Sequence, residues 1–141
     1  MPVRSAEASW KGTSKNGQGW LRTETGALQG TYSFGSRFQS EKGTNPEELM
    51  AAAHAGCFSM ALSLMLTEAG YEPEAIDTRA GVSIEPQDGG FAITRIVLTL
   101  KAKVPGIDEA TFMSHANNAK EGCPVSQALK AVPVELNAQL V

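Results

Sequence analysis

Residues Gly43 to Gly70, GTNPEELMAAAHAGCFSMALSLMLTEAG, are the stretch of sequence that decides the fold. Asn45 can cap a helix with its side-chain oxygen, and Pro46 suits the first helical position. Gly70 is a residue type that commonly ends a helix in the left-handed conformation. The sequence therefore predicts one long helix across residues 43–70.

This predicted helix is almost uncharged. Between Leu49 and Leu66 its only ionisable side chains are His54 and the thiol of Cys57. Such a run raises the question of a membrane span, but small residues are as frequent in it as Leu and Met, and the basic and aromatic flanks of a span are missing. A helix that is apolar on nearly every side is expected to be buried on nearly every side. We therefore expect it at the centre of the protein, against a sheet and a second helix, with no membrane partner.

Length and composition narrow the class of protein. The 141 residues fit one domain with its own core. Twelve basic and fifteen acidic residues give a formal charge of -3 without a basic tract, which argues against nucleic acid as a partner. The first ten residues lack the apolar segment of an export signal, so we expect a cytoplasmic protein. Two cysteines in such a protein are free thiols rather than a structural disulfide.

Alternation of apolar and polar residues predicts strands on both sides of the helix. Turn residues such as Lys15 to Gly17 separate the short strands near the N-terminus, and Pro133 fits only the start or edge of the last strand. The predicted class is α+β, with antiparallel sheet and helices against it. The predicted elements are strands at 7–10, 19–23, 76–84, 91–104 and 132–140, and helices at 43–70, 108–120 and 124–130. The single domain then has three segments: N-terminal strands and a site loop (1–42), the central helix (43–70), and a strand hairpin, helices and last strand (71–141).

Two cysteines are candidates for chemistry. Cys57 lies in the middle of the helix, where the helix dipole has little effect, so a reactive thiolate there needs a cation from outside the helix. Cys123 precedes Pro124 at a predicted helix start, where free backbone amides favour a thiolate. Local physics alone therefore favours Cys123 as the nucleophile, although a packed Cys57 and an unreactive capping Cys123 remain alternatives.

Other combinations of residues give weaker evidence of a catalytic, metal or cofactor site. His54 precedes Cys57 by three residues and shares its side of the helix, but no oxyanion-hole motif accompanies a Cys-His pair. A core histidine is the simpler interpretation. The two cysteines with His54 and His115 lack the spacing of zinc ligands, and no Walker loop or dinucleotide fingerprint occurs. We expect neither a metal nor a cofactor.

Four motifs give the chain a family resemblance: FGSRF, EKGTNPEEL, AAAHAGCFSMALS and EGCPVSQALK. In this order, over almost the whole chain, they resemble the osmotically inducible protein C and organic hydroperoxide resistance (OsmC/Ohr) family, and its OsmC branch in particular. The resemblance implies an OsmC-like fold in an intertwined homodimer. It also implies a thiol-dependent peroxidase that reduces organic hydroperoxides to alcohols in defence against oxidative and osmotic stress.

The resemblance also assigns the site residues. It makes Cys57 the peroxidatic cysteine and Cys123 the resolving one, opposite to the local argument. Arg37 and Glu47 match the family's arginine and glutamate, and Arg37 would be the cation that Cys57 needs. A Cys57 sulfenic acid would then give a Cys57–Cys123 disulfide, which a dithiol reductant, typically a dihydrolipoyl protein in this family, would reduce.

Two alternatives belong to other classes. A cysteine hydrolase would use His54 and Cys57 and would not need Cys123. A non-catalytic, stress-induced binding dimer would have thiols that only pack, and replacing either cysteine would leave peroxide consumption unchanged.

Overall fold

The computed structural model describes all residues from 1 to 141, in two compact units, Met1–Leu49 and Met50–Val141. The first contains β1 (Ala6–Lys11), β2 (Gln18–Thr23), β3 (Gln29–Tyr32) and α1 (Phe34–Phe38), and α2 (Pro46–Glu68) begins at its end. The rest of α2 belongs to the second unit, with β4 (Ala75–Gln87), β5 (Gly90–Lys103), α3 (Glu109–Gly122), α4 (Pro124–Ala128) and β6 (Val134–Leu140). The α+β class is confirmed, while the single domain stays a prediction.

The first unit holds a three-stranded antiparallel sheet of order β1-β2-β3, as the turn signals predict. Gly19 pairs with Trp10 on one side and with Tyr32 on the other. A Cβ atom at Gly19 would lie 2.4 Å from the Tyr32 ring and 2.8 Å from Trp10, so only glycine fits. The two rings stand 5.5 Å apart between centroids, and they form an aromatic surface on a sheet too small to hold its own core.

The second unit holds a sheet of order β4-β5-β6. Asp88 and Gly89 connect β4 and β5, with φ of +51° and +79°, the positive values that a tight hairpin turn requires. β6 differs from the expectation of an antiparallel sheet, because it pairs parallel to β5. The helices α3 and α4 between the two strands provide the crossover that a parallel pair needs.

The core of the second unit lies between this sheet and one face each of α2 and α3. Residues four apart on α2 (His54, Phe58, Leu62 and Leu66) are fully buried, and so are Phe112, Ala116 and Ala119 of α3. On the sheet, alternate residues of β5 point into the same core, and all four have no exposed surface (Ile96, Leu98, Leu100 and Ala102). Strand alternation in β5 and helical spacing in α3 account for these buried faces.

The expectation that α2 is buried on nearly every side is wrong for the single chain. Met60 is 77% exposed and Leu64 is 58% exposed. By length and composition alone α2 could cross a membrane: its mean hydropathy reaches 1.7 over a window of which 22% is buried. The core helix of a globular protein passes the same test, and α2 contributes a complete face to the core of its unit.

Helix α2 can be tested as a core element by truncating its buried face. Leu62→Ala removes a fully buried side chain and is expected to lower the free energy of unfolding by about 2–5 kcal/mol, because it leaves a cavity. Glu68→Ala, at the exposed end of the same helix, is the control and should change it by less than about 0.5 kcal/mol. Equal effects in urea unfolding would contradict this packing.

Candidate active site

The first unit brings Arg37 and Glu47 together. Nε of Arg37 donates to both carboxylate oxygens of Glu47 at 3.2 Å, and Nη2 donates to Oε1 at 2.6 Å. The carboxylate is buried, whereas 38% of the arginine side chain remains exposed. A fork of this kind fixes the plane of the guanidinium and leaves its other N–H groups free to act on an anion.

A short helix that the sequence did not predict positions Arg37. The sequence predicts only strands and a site loop across residues 1–42, but α1 forms within this segment. Ser33 and Ser36 make a reciprocal capping box at its start. The Ser36 hydroxyl donates to the Thr44 carbonyl at 2.7 Å, and Asn45 Nδ2 donates to the Ser36 carbonyl at 3.1 Å.

Asn45 also caps α2, because its Oδ1 accepts from the Glu48 amide at 2.8 Å. The same residue therefore ties α1 to the first turn of α2. This connection sets Arg37 opposite Glu47.

A cavity of about 490 Å³ opens beside Arg37. Its apolar walls come from the two sheet aromatics and from α1, and its lining residues are Trp10, Gly12, Ser14, Tyr32, Ser33, Phe34, Arg37 and Phe38. The Arg37 guanidinium also stands 5.3 Å from the centroid of the Phe38 ring. The cavity thus offers an apolar wall next to one cation.

The second unit holds Cys57 and Cys123 as free thiols, close enough for the Cys123 side chain to raise the pKa of Cys57. They differ in access: Cys57 is half-buried, whereas Cys123 is fully buried. Cys123 lies one further turn along the inner stripe of α3, after Ala116 and Ala119, which is why it faces the core. A thiol that solvent can reach therefore lies near a thiol that it cannot.

The chain turns between two helices at Cys123. Its amide donates to the Ala119 carbonyl at 3.0 Å and ends α3, and its sulfur accepts from the Ser126 amide at 3.4 Å and begins α4. The expected helix start is confirmed, although α4 is only five residues long.

Burial is the largest effect on Cys57, and it raises the pKa of this thiol. The hydrogen bond and the charge of Cys123 raise the pKa further, while the backbone amide of Val125 lowers it. None of these effects comes from a cation. The surroundings of Cys57 in its own unit thus favour the thiol over the thiolate.

Beyond Cys123 the hydrogen bonds continue into the core. The Cys123 thiol donates to Ser126 Oγ at 3.1 Å, and Ser126 Oγ lies 2.7 Å from Nε2 of His54. His54 is fully buried, as the core interpretation expects. Burial lowers its pKa below the usual 6.5, so the imidazole is neutral at pH 7.

The other ring nitrogen of His54 has no partner. Nδ1 is buried and makes no hydrogen bond within the chain, an arrangement that costs about 1–3 kcal/mol. Most buried polar atoms in proteins are paired, so the unpaired Nδ1 of His54 is an exception that lowers the stability of the fold.

The four predicted site residues thus form two pairs, Arg37 with Glu47 in the first unit and Cys57 with Cys123 in the second. Sequence reasoning missed Ser126. Its place three residues after Cys123 fits a helix cap, but its bond to His54 spans 72 residues and leaves no local signal.

Comparisons with known proteins agree with the motifs. A family model described as OsmC-like protein matches residues 39–137. The chain is 56% identical over 138 residues to peroxiredoxin OsmC of Escherichia coli (strain K12), across 97% of this chain and 96% of the relative. The chain belongs to the OsmC-like protein family.

Other members of the OsmC-like family extend the likeness. Organic hydroperoxide resistance protein-like 1 of Staphylococcus saprophyticus is 31% identical over 137 residues, across 93% of this chain and 94% of the relative. The crystal structure of the organic hydroperoxide resistance protein OhrB of Bacillus subtilis matches with a TM-score of 0.73 and 28% identity, and covers 96% of this chain and 98% of its own. The resemblance seen in the motifs is confirmed.

The buried, neutral His54 makes a prediction about pH. The pKa of His54 is lower in the folded than in the unfolded chain, so the unfolded state binds more protons below about pH 6.5. The free energy of unfolding therefore decreases as the pH is lowered through this range, by at most about 1.4 kcal/mol per pH unit. His54→Gln removes this term. We expect urea unfolding of the variant to depend less on pH than that of the wild type between pH 7 and the folded pKa. Parallel curves for the two proteins would show that His54 is not buried as a neutral group.

Proposed function

We propose that this protein is a thiol-dependent peroxidase that reduces organic hydroperoxides to alcohols through Cys57 and Cys123. One observation carries the proposal: a half-buried thiol lies near a fully buried one whose side chain raises its pKa. A peroxidase with two cysteines needs one sulfur that meets the peroxide and a second within reach of the first. The family and the names peroxiredoxin and organic hydroperoxide resistance protein among its relatives support the same activity.

In the first step the Cys57 thiolate attacks one oxygen of R–O–O–H. The O–O bond breaks, the alkoxide leaves with a proton as the alcohol, and Cys57 becomes a sulfenic acid. Cys57 is the attacking sulfur because it is the accessible one. The amide of Val125, which lowers the pKa of Cys57, supports the anion.

The thiolate also needs a cation, because burial raises the pKa of Cys57. We assign this task to Arg37. Its guanidinium is fixed by the Glu47 carboxylate, and such a group stabilises both the thiolate and the negative charge that develops on oxygen as the O–O bond breaks. Glu47 is therefore a positioning residue for Arg37.

In the second step Cys123 attacks the Cys57 sulfenic acid, water leaves, and a disulfide forms. A dithiol restores both thiols by exchange. We propose a dithiol of the dihydrolipoyl protein class as this reductant. The catalytic disulfide requires a thiol-reducing compartment, which supports the cytoplasm as the location.

The aromatic cavity beside Arg37 supports an apolar R group. Each methylene that leaves water for such a wall contributes about 0.8 kcal/mol. Several methylenes favour an alkyl or aryl hydroperoxide over hydrogen peroxide by orders of magnitude.

A homodimer accounts for the exposed face of α2. Met60 and Leu64 are mostly exposed in the single chain, and apolar side chains on a helix with so little of its surface buried usually mark an interface. We propose that a second copy of the chain covers this face. The hydrolase alternative gains no support, because Nε2 of His54, the nitrogen that a base would use, bonds to Ser126.

Cysteine variants test the activity and the order of the two sulfurs. After one equivalent of an organic hydroperoxide, the wild type should lose both thiols, because the sulfenic acid is converted to the disulfide. Cys123→Ser should retain a trappable sulfenic acid on Cys57, and Cys57→Ser should consume no peroxide. Intact mass and free-thiol titration measure all three.

Each contrary outcome has its own meaning. Oxidation of Cys123 in the Cys57→Ser protein would reverse the order of the cysteines. Absence of any oxidation in the wild type would leave a non-catalytic dimer.

Arg37 is tested by its effect on the pH dependence of Cys57 oxidation. Arg37→Ala is expected to slow this step at pH 7 by about 100-fold or more, and to move the pH–rate profile upward, because the pKa of Cys57 is then set by burial. Arg37→Lys should recover part of the rate, since a point charge lacks the fork.

A matched control exists on the surface of the second unit. Arg95 makes a similar two-bond pair with Glu135, at 2.9 and 2.7 Å, so Arg95→Ala should leave the kinetics unchanged. A wild-type profile for Arg37→Ala would remove Arg37 from the site.

A further inference from the structure

Three side chains form a row of hydrogen bonds next to Cys57, and the proposed chemistry uses only the first of them. The row runs from Cys123 through Ser126 to His54. All three are buried. The contacts measure 3.1 Å between Cys123 Sγ and Ser126 Oγ, and 2.7 Å between Ser126 Oγ and His54 Nε2.

The donors and acceptors of the row permit proton transfer from Cys123 toward His54. The Cys123 side chain also raises the pKa of the neighbouring Cys57. The Cys123 thiol in turn donates to Ser126 Oγ. The 2.7 Å contact between Ser126 Oγ and His54 Nε2 fits either histidine tautomer. In the tautomer with the proton on Nδ1, the nitrogen without a partner, Nε2 accepts the single hydroxyl proton of Ser126.

We propose that Ser126 and His54 form a proton relay that serves Cys123 in the disulfide-forming step, an inference that rests on the proposed peroxidase function. As Cys123 attacks the sulfenic acid, its S–H bond breaks and the new S–S bond forms. The thiol proton passes to Ser126 Oγ while the Ser126 proton passes to Nε2 of His54. The S–O bond of Cys57 breaks at the same time, and its electron pair leaves with hydroxide.

The proton balance closes through solvent. The leaving hydroxide takes a proton and becomes water, and the imidazolium releases the one that it received. Burial disfavours the charged form of His54, so the imidazolium is short-lived. The net step consumes one thiol and one sulfenic acid and gives one disulfide and one water.

The surroundings of His54 suit a neutral acceptor. Besides His54, the ionisable groups here are Cys57 on α2 and Cys123 between α3 and α4. No carboxylate or ammonium group shifts the pKa of the imidazole, which burial alone lowers. His54 therefore remains able to accept a proton below the usual pKa of a histidine. It acts through Ser126 and is a positioning residue, whereas Ser126 contacts the reacting sulfur.

The experiment separates the two steps by rapid mixing with one equivalent of an organic hydroperoxide, followed by acid quench and intact mass. His54→Gln and Ser126→Ala should form the Cys57 sulfenic acid at the wild-type rate. Both should form the disulfide about 100-fold more slowly at pH 7, the usual effect of a lost general base. With excess hydroperoxide, both should accumulate sulfinic acid on Cys57.

The pH profile distinguishes a relay from a packing role. Between about pH 6 and 8 disulfide formation in the wild type should be nearly independent of pH, because a neutral histidine takes the proton. In both variants it should rise with pH, since hydroxide from solvent must then take the proton that the relay no longer accepts. Ser126→Thr keeps the hydroxyl and should restore the wild-type profile.

Ser59→Ala is the matched control, because it removes a half-buried hydroxyl of α2 that bonds Thr78 at 2.8 Å. It should change neither step. Wild-type disulfide rates and profiles in His54→Gln and Ser126→Ala, or an equal loss in both steps, would overturn the relay. A wild type that forms no sulfenic acid would overturn the peroxidase function itself, and the relay with it.

Discussion

The proximity of the thiols of Cys57 and Cys123 is the constraint on which the proposed chemistry depends. It joins a helix that begins the second unit to the junction of two helices 66 positions later in the chain. α2 supplies Cys57 at the border of a stripe of fully buried residues, and α3 supplies Cys123 at the end of another. Because both stripes pack into one core, the two sulfurs meet in the reduced protein without a covalent bond.

The same packing explains why we propose different catalytic roles for the two sulfurs. Cys123 is enclosed by the core and by Ser126, so it meets Cys57 but not solvent. Cys57 is reachable, yet its burial opposes the thiolate. A thiolate there needs a cation, and our proposal gives this task to Arg37, whose orientation the Glu47 carboxylate fixes within the first unit.

Sequence patterns specified the parts of the fold that depend on local chemistry. The start of α2 follows from Asn45 and Pro46, and its end from Gly70, which has a φ of +92°. The inner stripe of α3 follows from helical periodicity. Patterns could not give the direction of β6, because alternation is the same in parallel and antiparallel strands.

Features that depend on residues far apart in the chain could not be predicted from the sequence. The five residues of α1 contain a glycine and are too few for a stable helix alone; bonds to Thr44 and Asn45 hold them. The sequence predicts burial on nearly every side of α2 and misses its exposed face, because apolar composition does not say which molecule covers a helix. Arg37, Glu47 and the roles of the two cysteines came from family resemblance, and His54 with Ser126 came only from the fold.

The most direct measurement is the connectivity of the disulfide formed when the native wild type meets one equivalent of an organic hydroperoxide. Non-reducing denaturing electrophoresis and peptide mapping should show a single-chain product with Cys57 bonded to Cys123. A covalent dimer, or a bond between Cys57 residues of two chains, would contradict the central claim that the two sulfurs of one chain react with each other.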